Sequence, residues 1–454
     1  MKQPNILLIT DDQHRWDLFD NRTVTGLRTP NLDRLRSEGV AFPNAVTNCP
    51  ICMPTRFTWV HGLYASQVGA GLMRNALDWP TGLPSMPGAV QAVGYRTALI
   101  GKLHSLQGLY DRDVCDEEEV TRARGFEHVH EVCGKALAWW HSCNWTRHLD
   151  AKGLLETYRQ DAKSRIEMLG GDEHCAPSLL SAEDSMDGYI GAKARAWLSA
   201  YDDDAPFFLH ASFCGPHFPI DPPEPYASRH RPEDMPDPVG VSDPERIAHW
   251  KMRMAAYCGM IEQIDDEVGR LLAILDERGL ADNTLVVFTT DHGDMMGHHD
   301  RAHKGQPFDT SLRTPLIARL PGRIPAGSEC IALIEAVDLP ASLISAAGIE
   351  TPIAELLPHS PGRSWFAHAC GEGSAPRDWA YSEFHSWRMV RDANCKYVWY
   401  DNGSEQLFDL ATDPWERENL IDEAAWADRL SLMRFRLMQS LTACVAPAEP
   451  PPHG

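Results

Sequence analysis

Short apolar runs recur along this chain, and a cluster of polar residues follows each one. We predict that these runs are strands, and they span residues 5–10, 95–100, 206–213 and 284–290. Continuous apolar runs of this length are typical of strands buried on both faces of a parallel sheet. Apolar residues at helical spacing predict a helix over 29–39 and a long one over 243–278. This alternation indicates an α/β fold with a large, mostly parallel sheet sandwiched by helices.

The polar clusters all follow the carboxyl ends of predicted strands. They contain Asp11-Asp12, Lys102 with His104, His217, and Asp291-His292. Open α/β sheets place their ligands at the carboxyl ends of parallel strands. We therefore expect these side chains to converge in space although they are far apart in sequence.

The remaining patterns divide the chain into two parts. We predict a catalytic domain over residues 1–373, in which 107–185 form a helical insertion near the site, rich in Trp, His and Cys. An ordinary surface excursion is an alternative interpretation of that insertion. Residues 374–454 are predicted to form a small α+β domain with four short antiparallel strands, which begin at Ala380, and a final helix.

Composition and charge exclude several classes of partner. Apolar residues make up 43% of the 454 residues and charged residues 23%, as in ordinary globular enzymes. The net charge of −22 argues against nucleic acid or an anionic membrane as a partner. We expect a cytoplasmic protein, because no signal sequence or membrane-length apolar stretch is recognisable. The 12 cysteines follow no framework spacing and are predicted to be free thiols.

Cys52 begins the most informative segment, Cys52-Met53-Pro54-Thr55-Arg56. A proline in a first turn predicts a helix start at Cys52, where backbone N–H groups and Arg56 favour an anion. The residues alone leave several interpretations open. Cys52 could be a small buried apolar residue, a thiolate nucleophile with a lowered pKa, or a redox partner of Cys49 in a Cys-x-x-Cys pair.

Acidic residues at two strand ends indicate a metal site. Asp11, Asp12 and Asp291 supply hard oxygen donors, and His292 supplies a nitrogen. Carboxylates that converge without a cation repel one another, so their convergence implies a divalent metal. Calcium or magnesium suits the oxygens, and His292 leaves manganese open. Each Asp alone could equally be a helix cap or a turn residue.

Basic residues supply the local positive charge that an acidic protein needs to bind an anion. Arg56, Lys102 and Lys304 are cations, and His104 and His217 can donate protons. Each of them alone is more commonly a surface or hydrogen-bonded residue. Together with a metal they would form an anion-binding pocket. Histidines 298, 299 and 303 could form another metal site, but a plain polar loop is the simpler interpretation.

The Cys52 segment resembles the maturation motif of the type I sulfatases, a formylglycine-dependent family of the alkaline phosphatase superfamily. That motif is Cys-x-Pro-x-Arg, with a glycine at the distance of Gly62. The resemblance extends along essentially the whole chain. The Asp11-Asp12 pair is similar to the family's first metal motif, and the segments around Lys102, His217, Asp291 and Lys304 are similar to its other elements. An alkaline phosphatase-like fold is the expectation that follows.

The resemblance implies that Cys52 is oxidised to formylglycine by a formylglycine-generating maturation enzyme. It also implies one divalent metal, Ca²⁺ first and Mn²⁺ as the alternative. The implied ligands are Asp11, Asp12, Asp291, His292 and an oxygen at position 52. The hydrated aldehyde would attack sulfur and form a covalent sulfo-enzyme intermediate.

The same resemblance assigns roles to the cationic residues. Arg56 would orient the nucleophile, and Lys102 and Lys304 would neutralise the sulfuryl oxygens. His217 would protonate the leaving oxygen. His104 would help to expel sulfate and restore the aldehyde. The expected reaction is hydrolysis of a small organic sulfate monoester to an alcohol and sulfate.

Some positions leave the substrate open. Arg74-Asn75 resembles a pair in the choline-sulfatase and phosphonate monoester hydrolase branches, where the asparagine lines the site, so Asn75 is a predicted substrate-binding residue. His292 stands where many arylsulfatases have asparagine. A phosphonate monoester or phosphodiester hydrolase is therefore the first alternative. A thiol redox protein that uses Cys49 and Cys52, and an inactive metal-binding relative, are the others. A homo-oligomer, a dimer or tetramer, is the expected assembly.

Overall fold

The structure, a computed structural model, describes residues 3–19, 23–74, 77–106, 113–169 and 175–444. Its strands, in chain order, are β1 (Asn5–Asp12), β2 (Val40–Ala41), β3 (Ala45–Val46), β4 (Arg96–Gly101), β5 (His128–Glu131), β6 (Phe207–Pro216), β7 (Thr284–Thr290), β8 (Leu316–Arg319), β9 (Ser328–Glu329), β10 (Ile334–Glu335), β11 (Ala380–Phe384), β12 (Trp387–Arg391), β13 (Cys395–Tyr400) and β14 (Glu405–Asp409). All four strands predicted in the first part of the chain are present as β1, β4, β6 and β7.

The α-helices are α1 (Pro30–Glu38), α2 (Cys52–His61), α3 (Ala70–Met73), α4 (Met86–Ala92), α5 (Glu118–Arg122), α6 (Asn144–Ala151), α7 (Leu155–Leu169), α8 (Met186–Ala200), α9 (Pro244–Glu277), α10 (Asp309–Leu312), α11 (Asp338–Ala346), α12 (Ile353–Leu356), α13 (Phe366–Ala369) and α14 (Ala427–Cys444). The predicted long helix over 243–278 is α9, and the predicted helix over 29–39 is α1. In the described part of the chain, no helix is both long and apolar enough to cross a membrane.

Eight strands form the main sheet, in the order β5-β4-β6-β1-β7-β8-β2-β9. Strands β5 to β7 in this order are parallel, and β8 is antiparallel to both of its neighbours. The sheet is therefore mostly parallel, as predicted. Because β4, β6, β1 and β7 are adjacent and parallel, their carboxyl ends lie along one edge, which brings the polar clusters together.

Alternate residues of β1 explain why helices cover both faces of this sheet. Ile6 and Leu8 belong to a core cluster that includes α2 and α11, whereas Leu7 and Ile9 belong to one that includes α8 and α9. Successive side chains of a strand point to opposite faces. Each such side chain, fully buried, contributes about 1.5–3 kcal/mol of stability.

Gly101 allows β4 and β6 to approach closely beside the polar clusters. Its φ is +113°, and a Cβ atom there would lie 1.9 Å from the carbonyl oxygen of Ser212. Only glycine fits that combination of backbone angle and contact. The close approach sets Lys102, the next residue, directly at the end of β4.

Residues 107–185 contain helices α5, α6 and α7, as the expected helical insertion would. They also contain β5, which pairs with β4 and forms one edge of the main sheet. The segment is therefore partly a component of the sheet and not only an addition to it. Its predicted boundaries at 107 and within 170–174 lie outside the described residues.

Strands β11 to β14 form the predicted four-stranded antiparallel sheet. One face, with Met389 and Val398, packs on the catalytic part through Phe308 and Leu312. The final helix, α14, packs on the other face. The α+β character of this C-terminal part agrees with the sequence, and the domain boundary at 373/374 stays a prediction.

Candidate active site

Cys52 is the first residue of α2, as the proline in the first turn predicted. Ile51 precedes the helix in an extended conformation, and Gly62 ends it with φ +66°. Every residue of α2 is buried. The chain thus places Cys52 and Arg56 one turn apart on a fully buried helix, at the carboxyl edge of the main sheet.

Four potential metal ligands meet at the start of α2. They are Asp12, Cys52, Asp291 and His292, and their ligand atoms all lie within 4.8 Å of one another. The Cys52 Sγ atom is 3.4 Å from Oδ1 of Asp12 and 3.3 Å from Nε2 of His292. All four residues are buried. Residues from three distant segments therefore form one compact cluster.

The charges of this cluster fit a bound cation. Burial, followed by the neighbouring charge of Asp12, raises the pKa of Asp291. Two buried carboxylates that destabilise each other's charge would both be stabilised by a divalent cation. Carboxylate oxygens with one imidazole nitrogen are a donor set that Ca²⁺, Mg²⁺ or Mn²⁺ can use. The residues present therefore fit the predicted metal.

Asp11, the fifth predicted ligand, is not part of this four-residue cluster. Its Oδ2 atom lies 2.6 Å from Nδ1 of His14. Its Oδ1 atom is buried and has no hydrogen-bond partner. A carboxylate oxygen left unpaired in the interior is costly, and a cation would satisfy it. His14 was not predicted, and only the folded chain shows that it holds Asp11.

Arg56 and Lys102 surround the carboxylates of the cluster. The Nε atom of Arg56 donates to Oδ2 of Asp291 at 2.8 Å, and its Nη2 atom donates to Oδ2 of Asp12 at 3.2 Å. Nζ of Lys102 donates to the same Asp12 oxygen at 2.6 Å. Burial and Cys52 raise the pKa of Asp12, but Lys102, His217 and Arg56 outweigh them, so the pKa is lowered.

Lys304 completes the ring of positive charge around Cys52. Its Nζ atom lies 2.9 Å from the Cys52 Sγ atom. Burial alone would raise the pKa of the Cys52 thiol, but Lys102, Lys304 and His292 lower it well below its usual value. The surroundings of position 52 therefore stabilise negative charge, which is the property an anion-binding site needs.

Both predicted proton-transfer histidines lie close to this centre. His104 hydrogen-bonds the Cys52 side chain, and burial together with Lys102 lowers the His104 pKa to about 4. His217 is half-buried and near enough to Asp12 to affect its pKa. Nδ1 of His217 donates to the carbonyl of Phe218 at 2.6 Å, which leaves Nε2 available. The structure thus brings every described residue of the predicted catalytic set to one place.

The family model "Sulfatase" matches residues 4–349 of this chain. The chain belongs to the sulfatase family. It is therefore a sulfuric ester hydrolase of the alkaline phosphatase superfamily. A second model, "N-sulphoglucosamine sulphohydrolase, C-terminal", matches residues 297–443.

Curated relatives of this sulfatase match it along almost their whole length. The "Arylsulfatase" of Clostridium perfringens is 28% identical over 97% of this chain and 94% of its own. The "Multifunctional alkaline phosphatase superfamily protein PehA" of Trinickia caryophylli is 29% identical over 94% and 93%. The solved phosphonate monoester hydrolase of Agrobacterium radiobacter is 25% identical, with a TM-score of 0.81, over 97% of this chain and 96% of its own.

Three features of the sulfatase site were not predicted from its sequence. Gln13 accepts a hydrogen bond from Nζ of Lys304 at 2.8 Å, and its amide nitrogen donates to Asp294. Ser212 accepts from Nη1 of Arg56 at 2.8 Å. Gln13 follows the Asp11-Asp12 pair directly, so its position was a usable signal. No spacing pattern marks Ser212, which lies within the apolar run of β6.

The remaining predictions about this region have different outcomes. Asn75 lies outside the described residues, so its substrate-binding role stays a prediction. Histidines 298 and 299 contact Arg15 and the Trp415 carbonyl. The search of the described residues for metal-ligand clusters gave the cluster around Cys52 and not these histidines.

The redox interpretation of Cys49 and Cys52 gains no support. Both thiols are free in the structure. Burial and Glu383 raise the pKa of the Cys49 thiol, whereas the pKa of Cys52 is lowered. A thiol held protonated is a poor nucleophile for disulfide exchange. We therefore do not retain this alternative.

Proposed function

We propose that this sulfatase hydrolyses a small organic sulfate monoester to an alcohol and sulfate. The observation that carries the proposal is the position of Cys52. It lies at the start of a buried helix, with Lys304 at 2.9 Å and His292 at 3.3 Å from its sulfur atom. A side chain among cations and potential metal ligands is suited to attack an anionic ester, whose charge the rest of a −22 protein repels.

Two groups that the chain does not itself encode belong to this proposal. A formylglycine-generating maturation enzyme would modify Cys52, and Asp12, Asp291, His292 and position 52 would hold one divalent cation, with Asp11 alongside. Ca²⁺ is the first choice and Mn²⁺ the alternative, because His292 offers a nitrogen. The modified side chain supplies a nucleophile for sulfur, and the cation supplies charge that stabilises the sulfuryl oxygens.

Within this proposal the cationic side chains bind and orient the ester. Nζ of Lys102 and Nζ of Lys304 would face the sulfuryl oxygens, a preorganised electrostatic contribution worth several kcal/mol. Arg56 is fixed by its ion pairs with Asp12 and Asp291. It would therefore hold position 52 and the two carboxylates in one arrangement during the reaction.

The two histidines would move protons on opposite sides of the reaction. Nε2 of His217 would donate a proton to the leaving oxygen, because its Nδ1 proton is engaged by the Phe218 carbonyl. His104 would accept a proton at position 52, to which it is already hydrogen-bonded, when sulfate leaves. Burial keeps His104 neutral, which is the state a base requires.

Phosphonate monoesters or phosphodiesters are the second candidate substrates. The support is the similarity to the phosphonate monoester hydrolase of Agrobacterium radiobacter and to the PehA protein. Asn75 is the proposed substrate-binding residue in either case. Both ester classes present an anionic tetrahedral centre, so the cations described above would serve either one.

One experiment separates these candidates. Protein with formylglycine at position 52, confirmed by peptide mass spectrometry, is loaded with Ca²⁺ or Mn²⁺ and assayed on paired 4-nitrophenyl sulfate and phenylphosphonate esters. We expect the higher kcat/KM for the sulfate. A much higher kcat/KM for the phosphonate would establish the second candidate instead. Elemental analysis of the purified protein identifies the metal.

We also propose a cytoplasmic homo-oligomer, a dimer or tetramer, that has neither nucleic acid nor membrane as a partner. All 12 cysteines are free thiols in the structure, which suits a reducing compartment. The strongly acidic charge supports the exclusion of nucleic acid. Light scattering on the purified protein tests the assembly, and a single 50.7 kDa species would contradict it.

A further inference from the structure

A buried chain of hydroxyl groups lies beneath the site, on strands β1 and β6. Thr10 and Ser212 face each other in the parallel pairing of these strands, and His210 is two residues before Ser212. At most 2% of each of these three residues is exposed. Polar side chains buried this completely inside a sheet need partners, and each finds one in the others.

The hydrogen bonds of this chain have a single possible direction. Thr10 donates to Oγ of Ser212 at 3.1 Å, and Ser212 donates to the carbonyl of Lys102 at 2.7 Å. A hydroxyl has one proton to donate. Thr10 must therefore accept, not donate, in its 2.9 Å contact with Nε2 of His210.

His210 is consequently neutral with its proton on Nε2. Burial, with a smaller contribution from Arg56, lowers the His210 pKa to about 3, so the ring has one proton at neutral pH. That proton must be on Nε2 because Thr10 has no second proton to offer. The direction of the whole chain is thus from His210 through Thr10 and Ser212 to the Lys102 carbonyl.

This chain ends on the two cations that surround Asp12. Both protons of Arg56 Nη1 are used here: one is donated to Ser212 Oγ at 2.8 Å and the other to the Lys102 carbonyl at 2.6 Å. Ser212 and the Lys102 carbonyl thereby fix the plane of the guanidinium group. The backbone of Lys102 is also held by its N–H bond to the Ser212 carbonyl at 3.0 Å.

We propose that Thr10, Ser212 and His210 are positioning residues that set the orientation of Arg56 and Lys102 for catalysis. None of the three touches Cys52 or the substrate in this proposal. They act through the guanidinium plane of Arg56 and the backbone of Lys102, so that both cations keep their contacts with Asp12. This inference rests on the proposed function, since it assumes that Arg56 and Lys102 act on an anionic ester.

The test uses isosteric and conservative variants of Thr10 in the full-length, metal-loaded protein. Thr10→Val keeps the shape and removes the hydroxyl, whereas Thr10→Ser keeps the hydroxyl. We expect kcat to fall about 10-fold in Thr10→Val and in Ser212→Ala, as one lost hydrogen bond predicts, with KM changed less than about twofold. Thr10→Ser should recover most of the activity.

Thr97→Val is the matched control. Thr97 is a buried hydroxyl on β4 of the same sheet, at the opposite end of that strand from Lys102, and it accepts the backbone N–H of Glu127 at 3.0 Å. Its loss should lower stability in a similar way but leave kcat unchanged. All assays are run well below the melting temperature of each variant, so that a general loss of folded protein does not enter.

Nitrogen NMR of His210 provides a readout that needs no turnover. We expect an Nε2–H tautomer in the wild type and a changed ring signal in Thr10→Val. A wild type with the proton on Nδ1, a Thr10→Val variant with full kcat, or a Thr10→Ser variant as impaired as Thr10→Val would overturn the proposal. If the wild type hydrolyses neither ester, the proposed function fails, and the tautomer still tests the hydrogen-bond chain.

Discussion

At Cys52, burial and nearby cations act on the same thiol in opposite directions. Burial opposes ionisation, and Lys102, Lys304 and His292 favour it strongly enough to lower the pKa. Cys49, three residues earlier, lacks these cations, and its pKa is raised. The chemistry available to a cysteine in this protein is therefore set by which charges the fold brings near it.

Replacing Cys52 tests its role directly. Cys52→Ala removes the precursor of the nucleophile, and we expect kcat/KM to fall by roughly 10³-fold or more on either ester class. The melting temperature should change little, because alanine fits the space of a small buried side chain. Cys49→Ala is the control and should keep its activity. Equal losses in the two variants would argue against a special role for Cys52.

A second residue-scale prediction concerns His217 as the proton donor. In His217→Asn, we expect a rate loss of about 10²–10⁴-fold on an alkyl sulfate, whose leaving oxygen needs the proton. The loss should be much smaller on 4-nitrophenyl sulfate, because nitrophenolate leaves without protonation. Steady-state kinetics on both esters measures the difference. The same loss on both substrates would exclude this role for His217.

At the scale of elements, helix α9 supports helix α1 through one side chain. The carboxylate of Asp265 accepts the backbone N–H groups of Asn31 and Leu32, in the first turn of α1, at 3.1 and 2.8 Å. These N–H groups have no partner within their own helix. Asp265 therefore acts as a cap supplied by a distant element, which explains why Thr29 makes no side-chain cap.

The pH dependence of stability tests this contact. Burial raises the pKa of Asp265 from 3.8 to about 6, so the folded state holds this proton more tightly than the unfolded state. The resulting contribution to the free energy of unfolding is complete below pH 3.8 and is lost as the pH rises through about 6. In denaturant unfolding, Asp265→Asn should lack that decline. Parallel pH profiles for variant and wild type would contradict the prediction.

The elements that could be predicted are those with long, regular patterns. Strands β1, β4, β6 and β7 are apolar runs, and α9 has apolar residues at helical spacing over 34 residues. Strands β2, β3, β9 and β10 have two residues each, too few for any periodicity to show. The edge strand β5, His128–Glu131, alternates polar and buried residues and was included in the helical insertion.

At the scale of the whole molecule, a buried ionic cluster joins the C-terminal sheet to the catalytic part. Lys396 of β13 forms ion pairs with Asp309, at the start of α10, and with Glu416. Arg391 of β12 also pairs with Asp309 at 2.7 Å. None of the Lys396 side chain is exposed. The two sequence regions are thus connected by charge as well as by apolar packing.

Removal of Lys396 should destabilise the molecule strongly. Lys396→Met leaves the buried carboxylates of Asp309 and Glu416 without their ammonium partner, which should cost about 3–5 kcal/mol in the free energy of unfolding. Lys251→Met is the control, because the Asp237 that Lys251 pairs with is largely exposed, and it should cost less than about 1 kcal/mol. Denaturant unfolding measures both. Similar losses would show that burial does not decide the cost.

The sequence by itself determined the α/β class, the antiparallel C-terminal sheet and the polar residues at strand ends. It could do so because periodicity and local motifs are properties of neighbouring residues. Tertiary structure alone decided that His14 holds Asp11, that Gln13 holds Lys304 and that Ser212 holds Arg56. These pairs are single hydrogen bonds between side chains, two of them far apart in sequence. Their distances depend on strand register and helix placement, which no local pattern of residues encodes.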